Sequence, residues 1–259
     1  MKKTILAIAV AAASAAATAD YQGEVGVVYG QGEVAGAVDY DTVGFAGRYN
    51  FEMVDTSKGP HAEAAFLDKS SSVGFSYSTL EPDVSGADDI DSMGVDVRVV
   101  TDTNLIIEAA YSQLDDGSDD ADTFAIGVGT YLNDTTDIVA TYSTVDDDGD
   151  DLDALNLDLH SVMKLQGTAS LAYDLGIAYL DADEDDGYSL NAGATYYIDN
   201  NLGISLAADM MDVGDVDSNT VSIGVSYFPM PEVELAANYF DQGGDIEADG
   251  ILLGAAVRF

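Results

Sequence analysis

The sequence predicts an all-β protein, specifically a transmembrane antiparallel β-barrel of about 14 strands. Apolar residues alternate with small or polar residues at a period of two along most of the chain, which places them on opposite faces of strands. After the amino terminus, no stretch approaches the roughly 18 apolar residues that a membrane-spanning helix needs. Short turns alternate with acid-rich segments between these strand-like stretches. Short turns on one rim and longer loops on the other are typical of transmembrane β-barrels.

The amino terminus is read as a cleaved secretory signal peptide over residues 1–19. Lys2 and Lys3 precede a mostly apolar run that ends near Ala17, and Ala17-Thr18-Ala19 fits a small-x-small cleavage site. The barrel domain is therefore expected to span residues 20–259. The chain contains no cysteine, which excludes a disulfide framework and thiol chemistry.

The strands follow one another at regular spacing. Their predicted ranges are 21–30, 42–51, 61–79, 91–100, 104–114, 122–132, 137–145, 152–162, 168–180, 187–198, 202–211, 219–228, 232–240 and 249–259. Two places are ambiguous: residues 31–41 could be a loop or an extra strand, and the apolar parity changes between Phe66 and Val73. An extra strand in the first place and two strands in the second would give 16, and an even count is expected in either case.

The last strand alternates down to the carboxyl terminus, with Ile251, Leu253, Ala255, Val257 and Phe259 on one face. It resembles the closing strand of Gram-negative outer-membrane β-barrels. That resemblance implies that Phe259 is part of the signal read by the barrel assembly machinery. It also implies localisation in the bacterial outer membrane, in contact with lipid and lipopolysaccharide.

Residues 54–68, VDTSKGPHAEAAFLD, form a second block of resemblance. They resemble a segment of general bacterial porins from marine Gram-negative bacteria. The resemblance implies an outer-membrane porin, a water-filled channel for passive diffusion of small hydrophilic solutes. From the residues alone, this block is a polar turn around Lys58-Gly59-Pro60 followed by the start of a strand.

The charge is strongly negative and unevenly distributed. The formal net charge is −40, from 48 acidic and 8 basic residues, which excludes nucleic acid as a partner. Six segments hold 25 of the acidic residues and no Lys or Arg: 81–90, 115–121, 146–151, 181–186, 212–218 and 241–249. We expect them to be long loops at the outer surface, above a girdle of tyrosines at the strand ends: Tyr29, Tyr77, Tyr111, Tyr142, Tyr179 and Tyr239.

The predicted inner faces are rich in Gly, Ala and Ser, and no long loop is left to fill the lumen, so the sequence predicts an open, wet pore. Its candidate lining residues carry more negative than positive charge, which predicts a preference for cations. They are Glu24, Arg48, Asp96, Arg98, Glu108, Asp158, His160, Asp174, Asp209, Glu234 and Arg258. The patterns leave open whether the barrel is a monomer or a homo-oligomer.

Two other functions are compatible with these patterns. A non-conducting structural or adhesive barrel would present the same acidic loops on the same wall. A barrel hydrolase could use Asp158 and His160, which share a strand face, as orienter and base. Because Ser161 points to the opposite face, no nucleophile accompanies this pair, and we predict no enzyme activity. The Asp runs lack the Gly and Glu of an EF-hand loop, and no metal or cofactor is expected.

Overall fold

The computed structural model describes residues 20–36, 38–147, 150–182, 185–245 and 247–259. The predicted signal peptide therefore lies outside the described residues. Fourteen strands form one closed antiparallel barrel in which every strand pairs with its chain neighbours and β1 pairs with β14. The predicted number of 14 is confirmed and the alternative of 16 is wrong. The bounds are β1 Tyr21–Val34, β2 Val38–Val54, β3 Ser72–Pro82, β4 Ile90–Val100, β5 Leu105–Asp115, β6 Asp120–Asn133, β7 Thr136–Asp147, β8 Asp150–Lys164, β9 Ser170–Ala182, β10 Asp185–Tyr197, β11 Leu202–Val213, β12 Val216–Met230, β13 Val233–Gly244 and β14 Ala248–Arg258.

The barrel closes where the two ends of the described chain meet. Val25 lies opposite Val257 in the β1–β14 ladder, and the backbone amides of Gln22 and Gly23 both donate to the Phe259 carbonyl at 2.8 Å. The ring of Phe259 lies over Gly23, where a Cβ atom would come within 2.5 Å of it. We call the rim that carries Tyr21 and Phe259 the terminal rim, and the opposite one the acidic rim.

The acid-rich segments differ from the predicted long loops. Residues 31–34 and 38–41 are the extended ends of β1 and β2, and between them Ala35 and Gly36 have positive φ. The segments 81–90 and 115–121 do contain connections, at 83–89 and 116–119, whereas the other four acidic segments are mostly strand in their described residues. Antiparallel pairing satisfies the backbone of these segments despite their like charges. Much of the acid therefore lies on strand extensions toward the acidic rim, and part of it on the connections there.

The outer face of the wall carries the predicted apolar rows. In the part of the chain that is described, no helix is long and apolar enough to cross a membrane. Leu157, Ile204 and Ile223 are 45%, 46% and 54% exposed on this face, as expected for side chains that contact lipid. Toward the acidic rim, tyrosine hydroxyls donate to Asp carboxylates across the hairpins: Tyr29 to Asp41, Tyr77 to Asp91, Tyr111 to Asp122, Tyr142 to Asp153 and Tyr179 to Asp186.

One predicted strand is wrong in its first half. Residues 61–71 do not extend β3, which begins only at Ser72. They belong to a long connection, residues 55–71, with two 3-10 turns at Thr56–Lys58 and His61–Glu63 and a short helix α1 at Ala64–Leu67. We call residues 55–71 the inward segment, because they leave the terminal rim and enter the barrel.

Candidate functional site: the barrel interior

Contacts between strands that are not neighbours identify the inner face of the wall. Arg98 on β4 forms ion pairs with Glu108 on β5 and with Asp137 on β7. Because β5 and β6 separate β4 from β7, the contact between Arg98 and Asp137 can only pass through the interior of the closed barrel. Register then assigns the even positions of β4 and the odd positions of β7 to the lumen.

The inward segment lies across the lumen at the terminal rim. Leu67 packs against inward side chains of three strands, Val162, Ala172 and Tyr197, which are 3%, 1% and 4% exposed. Phe66 packs against a cluster on β5, β6 and β7, formed by Ile106, Tyr131 and Val139. Ala64 contacts Tyr21 and Val54, at the far side of the barrel. Apolar packing with buried wall residues thus occupies part of the lumen at this level.

Glu63 is the polar centre of this layer. Its Oε2 atom lies 3.0 Å from Nε2 of His160 on β8, and Tyr197 on β10 donates its hydroxyl to Oε1 at 2.7 Å. On the other side of the imidazole, Nδ1 lies 2.5 Å from Asp174 on β9. The Phe66 ring meets His160 edge-on, with centroids 4.2 Å apart. We call these contacts of Glu63 with His160 and Tyr197 the Glu63 clamp.

The inward segment is also folded in itself. Asp55 caps the first 3-10 turn through the Ser57 amide at 2.9 Å, and Asp68 accepts from the Asp55 amide at 3.0 Å and pairs with Lys58. The hydrogen bonds of Asp55 with Ser57 hold the pKa of that carboxyl below its usual range. These bonds connect the two ends of the segment, so it forms a compact unit.

Further hydrogen bonds join the segment to the wall through its backbone. Arg258 donates to the His61 carbonyl at 2.7 Å and Tyr131 to the Phe66 carbonyl at 2.9 Å, while the His61 amide donates to Asn200 O at 2.9 Å. Burial, and then the nearby Arg258 charge, lower the pKa of His61. The neutral imidazole therefore predominates at neutral pH.

The structure places all eleven candidate lining residues on the inner face, and most of them form ion pairs. Arg258 pairs with Glu24 and lies 3.9 Å from Glu234; Arg48 lies 3.2 Å from Asp96. Arg98 pairs with Glu108, and His160 with Asp174. Asp158 and Asp209 form no salt bridge among the described residues. Their function as pore-lining residues stays a prediction.

The arrangement does not form the hydrolytic pair that the sequence suggested as an alternative. His160 is held by Glu63 and Asp174, whereas Asp158 hydrogen-bonds with Asn191 on β10. In the described ranges, no serine hydroxyl hydrogen-bonds with His160, and Ser161 bonds instead with Thr136. Asp158 and His160 are two residues apart on one face, but their side chains turn to partners on other elements.

Glycines on the inner face let polar side chains lie flat against the wall. A Cβ on Gly74 would meet the Asp96 carboxylate at 2.1 Å, because the ion pair between Arg48 on β2 and Asp96 on β4 crosses over this residue of β3. Gly176 on β9 lies in the same way below Asp158 and Asn191. A larger residue at either glycine would push these side chains toward the lumen.

Sequence reasoning missed the inward segment and its key residue, Glu63. The prediction of an unfilled lumen is wrong at the terminal rim, and the prediction that the longer connections lie on the acidic rim is wrong for 55–71. One signal was available: the parity change between Phe66 and Val73 meant that residues 61–79 could not be one strand. A change to helical spacing at Ala64 and Leu67 explains it, but four residues are too few to establish a helix from sequence.

Comparison with known proteins agrees with this architecture. The family model described as "Putative general bacterial porin" matches residues 1–189. The crystal structure of the outer membrane protein Omp33 of Acinetobacter baumannii is similar at a TM-score of 0.67 and 22% identity, covering 93% of this chain and 99% of that chain. A bacterial polysaccharide outer membrane secretin is similar at a TM-score of 0.53 and 10% identity, covering 92% and 99%. No curated protein sequence matches the chain.

Proposed function

The chain belongs to the family of general bacterial porins, an outer-membrane β-barrel family, and on that premise we propose that it forms a cation-preferring channel for passive diffusion of small hydrophilic solutes. We further propose that residues 1–19 are removed during export and that the acidic rim faces the outside of the cell. Lipid, lipopolysaccharide and the barrel assembly machinery are the proposed partners of the wall.

The charge balance of the interior is the observation that carries the cation preference. Each arginine on the inner face is paired with at least one carboxylate, and Asp158 and Asp209 have no cationic partner in the described part. The acidic segments above them contain no Lys or Arg. A negative potential along the mouth and the lumen concentrates cations and depletes anions.

Reversal potentials under a salt gradient in planar bilayers test this proposal. The Debye length is about 10 Å at 0.1 M salt and about 3 Å at 1 M, so rim charge should act mainly in dilute salt and lumen charge should persist. A variant with four Asp→Asn substitutions at one acidic hairpin should lose part of the dilute-salt preference. Its sites are Asp115, Asp116, Asp119 and Asp120, all exposed.

A matched control neutralises four acidic residues on the terminal rim, Asp102, Asp134, Asp199 and Glu232. Lys58, Lys69 and Lys164 lie at or near that rim and already offset its negative charge, so this variant should change the preference less. An anion-selective potential in the parent protein, or a cation preference that is independent of salt, would refute the charge argument.

The second candidate is a non-conducting structural or adhesive barrel. The observation that favours it is the inward segment, which replaces the lumen by buried apolar contacts at the terminal rim. If folded protein inserted in bilayers gave no ion current under any condition, this candidate would replace the porin.

A further inference from the structure

We propose that the inward segment is a displaceable gate and that the Glu63 clamp holds it closed, with Glu63, His160 and Tyr197 as positioning residues. This inference rests on the proposed porin function, because a gate has a consequence only in a barrel that conducts. It assigns the control of ion flow to one hydrogen-bonded group on the terminal side of the lumen.

The first argument is that the wall residues packed against the inward segment are shielded from water. The wall residues that face the segment, among them Ile106, Val162 and Phe228, are 0%, 3% and 1% exposed. The segment touches wall residues that lie far apart around the ring, from Tyr21 on β1 to Tyr131 on β6 and Tyr197 on β10. A hydrated ion cannot pass through these contacts without losing its water, so displacement of the segment would widen the path for ions.

The second argument is that the segment can leave without opening the wall. The β2–β3 ladder ends with Asn50 opposite Ser72, followed by one bond from the Phe51 amide to the Ser71 carbonyl, and residues 55–70 contribute no rung to any strand pair. The segment keeps its own internal bonds through Asp55 and Asp68. Displacement would therefore break contacts between the segment and the wall while all fourteen strand pairs stay intact.

The third argument is that the clamp is the most consequential of these contacts. The Glu63 side chain is only 13% exposed, and its two oxygens are divided between His160 and Tyr197. A carboxylate at this depth is tolerated because it is hydrogen-bonded and faces an imidazole. When either partner is removed, the buried charge favours the hydrated position outside the layer, and the open state gains population.

The test measures ion current and open probability in planar bilayers for Glu63→Gln, His160→Gln and the double variant. Loss of a hydrogen bond to a charged group should raise the open-to-closed ratio about tenfold or more. The double variant should add little to either single one, because both remove the same interaction. Glu63→Asp, which keeps the charge, should restore part of the closure.

Lys58→Gln is the matched control. It removes one charge from the same segment and breaks the ion pair with Asp68, but leaves the clamp untouched. Its open-to-closed ratio should stay near that of the parent. Heat-induced unfolding of each purified variant shows whether the barrel itself is intact. A variant that only destabilises the barrel would unfold at a lower temperature, whereas a variant that only opens the gate would change the current and not the unfolding temperature.

A variant in which residues 57–69 are replaced by a short Gly-Ser linker separates the two levels of the proposal. Large, steady current from this variant, with low current from the parent, supports the gate. If the parent conducts as freely as the linker variant, or if the clamp variants match the parent while the linker variant conducts, the gate held by Glu63 is wrong and the porin stands. If the folded linker variant carries no current, both the gate and the porin function are wrong.

Discussion

Placing an arginine on either face of one strand tests the orientation of the whole wall. On β8, Leu157 lies midway along the strand with its side chain outward and 45% exposed, while the adjacent Asn156 points into the lumen. Leu157→Arg puts a charge into the hydrocarbon, whereas Asn156→Arg puts the same charge into the wet lumen. The two variants differ by one position and introduce the same side chain.

The expected magnitudes differ clearly. An arginine on the lipid face near the midplane costs about 2–4 kcal/mol, which lowers the folding equilibrium constant by about 30- to 900-fold at 1.36 kcal/mol per factor of ten. Ile223→Arg, midway along β12, should cost a similar amount, and Ile204→Arg, near the start of β11, should cost less. Asn156→Arg should change stability by less than about 1 kcal/mol, because water and nearby carboxylates solvate the guanidinium.

Urea titrations of the folded barrels in lipid vesicles measure these differences. An unheated sample serves as the folded reference and a heated sample as the unfolded reference. The face assignment is refuted if Leu157→Arg is neutral, or if Asn156→Arg costs as much as Leu157→Arg. A neutral result at all three lipid-facing positions would also remove the argument that the apolar rows contact the membrane.

Three further predictions concern the last strand, the inward segment and the inner-face glycines. Deleting Phe259 should lower the amount of folded protein in isolated outer membranes while export continues; parent-level folded protein would contradict its role in assembly. Burial and Arg258 lower the pKa of His61, so the unfolded chain binds more protons there than the folded one. Stability should therefore fall as the pH drops below about 6.5. His61→Gln should remove that part of the acid sensitivity of thermal unfolding, and an unchanged pH profile would disprove the assignment. Gly74→Ala displaces only a flexible carboxylate and should cost less than about 1 kcal/mol, whereas Gly129→Ala meets a backbone oxygen at 2.3 Å and should cost more; equal losses of stability in urea would show that the wall yields at both sites.

The tyrosines show how much structural detail the sequence pattern alone could predict. Their positions at strand ends were predicted from spacing, and each of five hydroxyls donates to an Asp on the paired strand. The Asp partners were not predicted, because the register of each hairpin was not assigned from sequence. Asp91, Asp122 and Asp153 lie in predicted strands, Asp41 lies in the ambiguous stretch 31–41, and Asp186 lies in a segment interpreted as a loop. Runs of like charge made the acid-rich segments look irregular in sequence. Strand pairing, however, is formed by backbone hydrogen bonds, which do not involve the charged side chains.

The sequence by itself determined most of the wall: an even number of strands, 14 or 16, the two faces of each, and the eleven charged or polar inner positions. Alternation at period two is a local property, and each strand repeats it independently. Only the tertiary structure decided which inner residues meet and what fills the terminal end of the lumen. Those contacts join Glu63 to His160 and Tyr197, 97 and 134 residues away, and such partners are fixed by closure of the barrel around the segment, which no local period encodes.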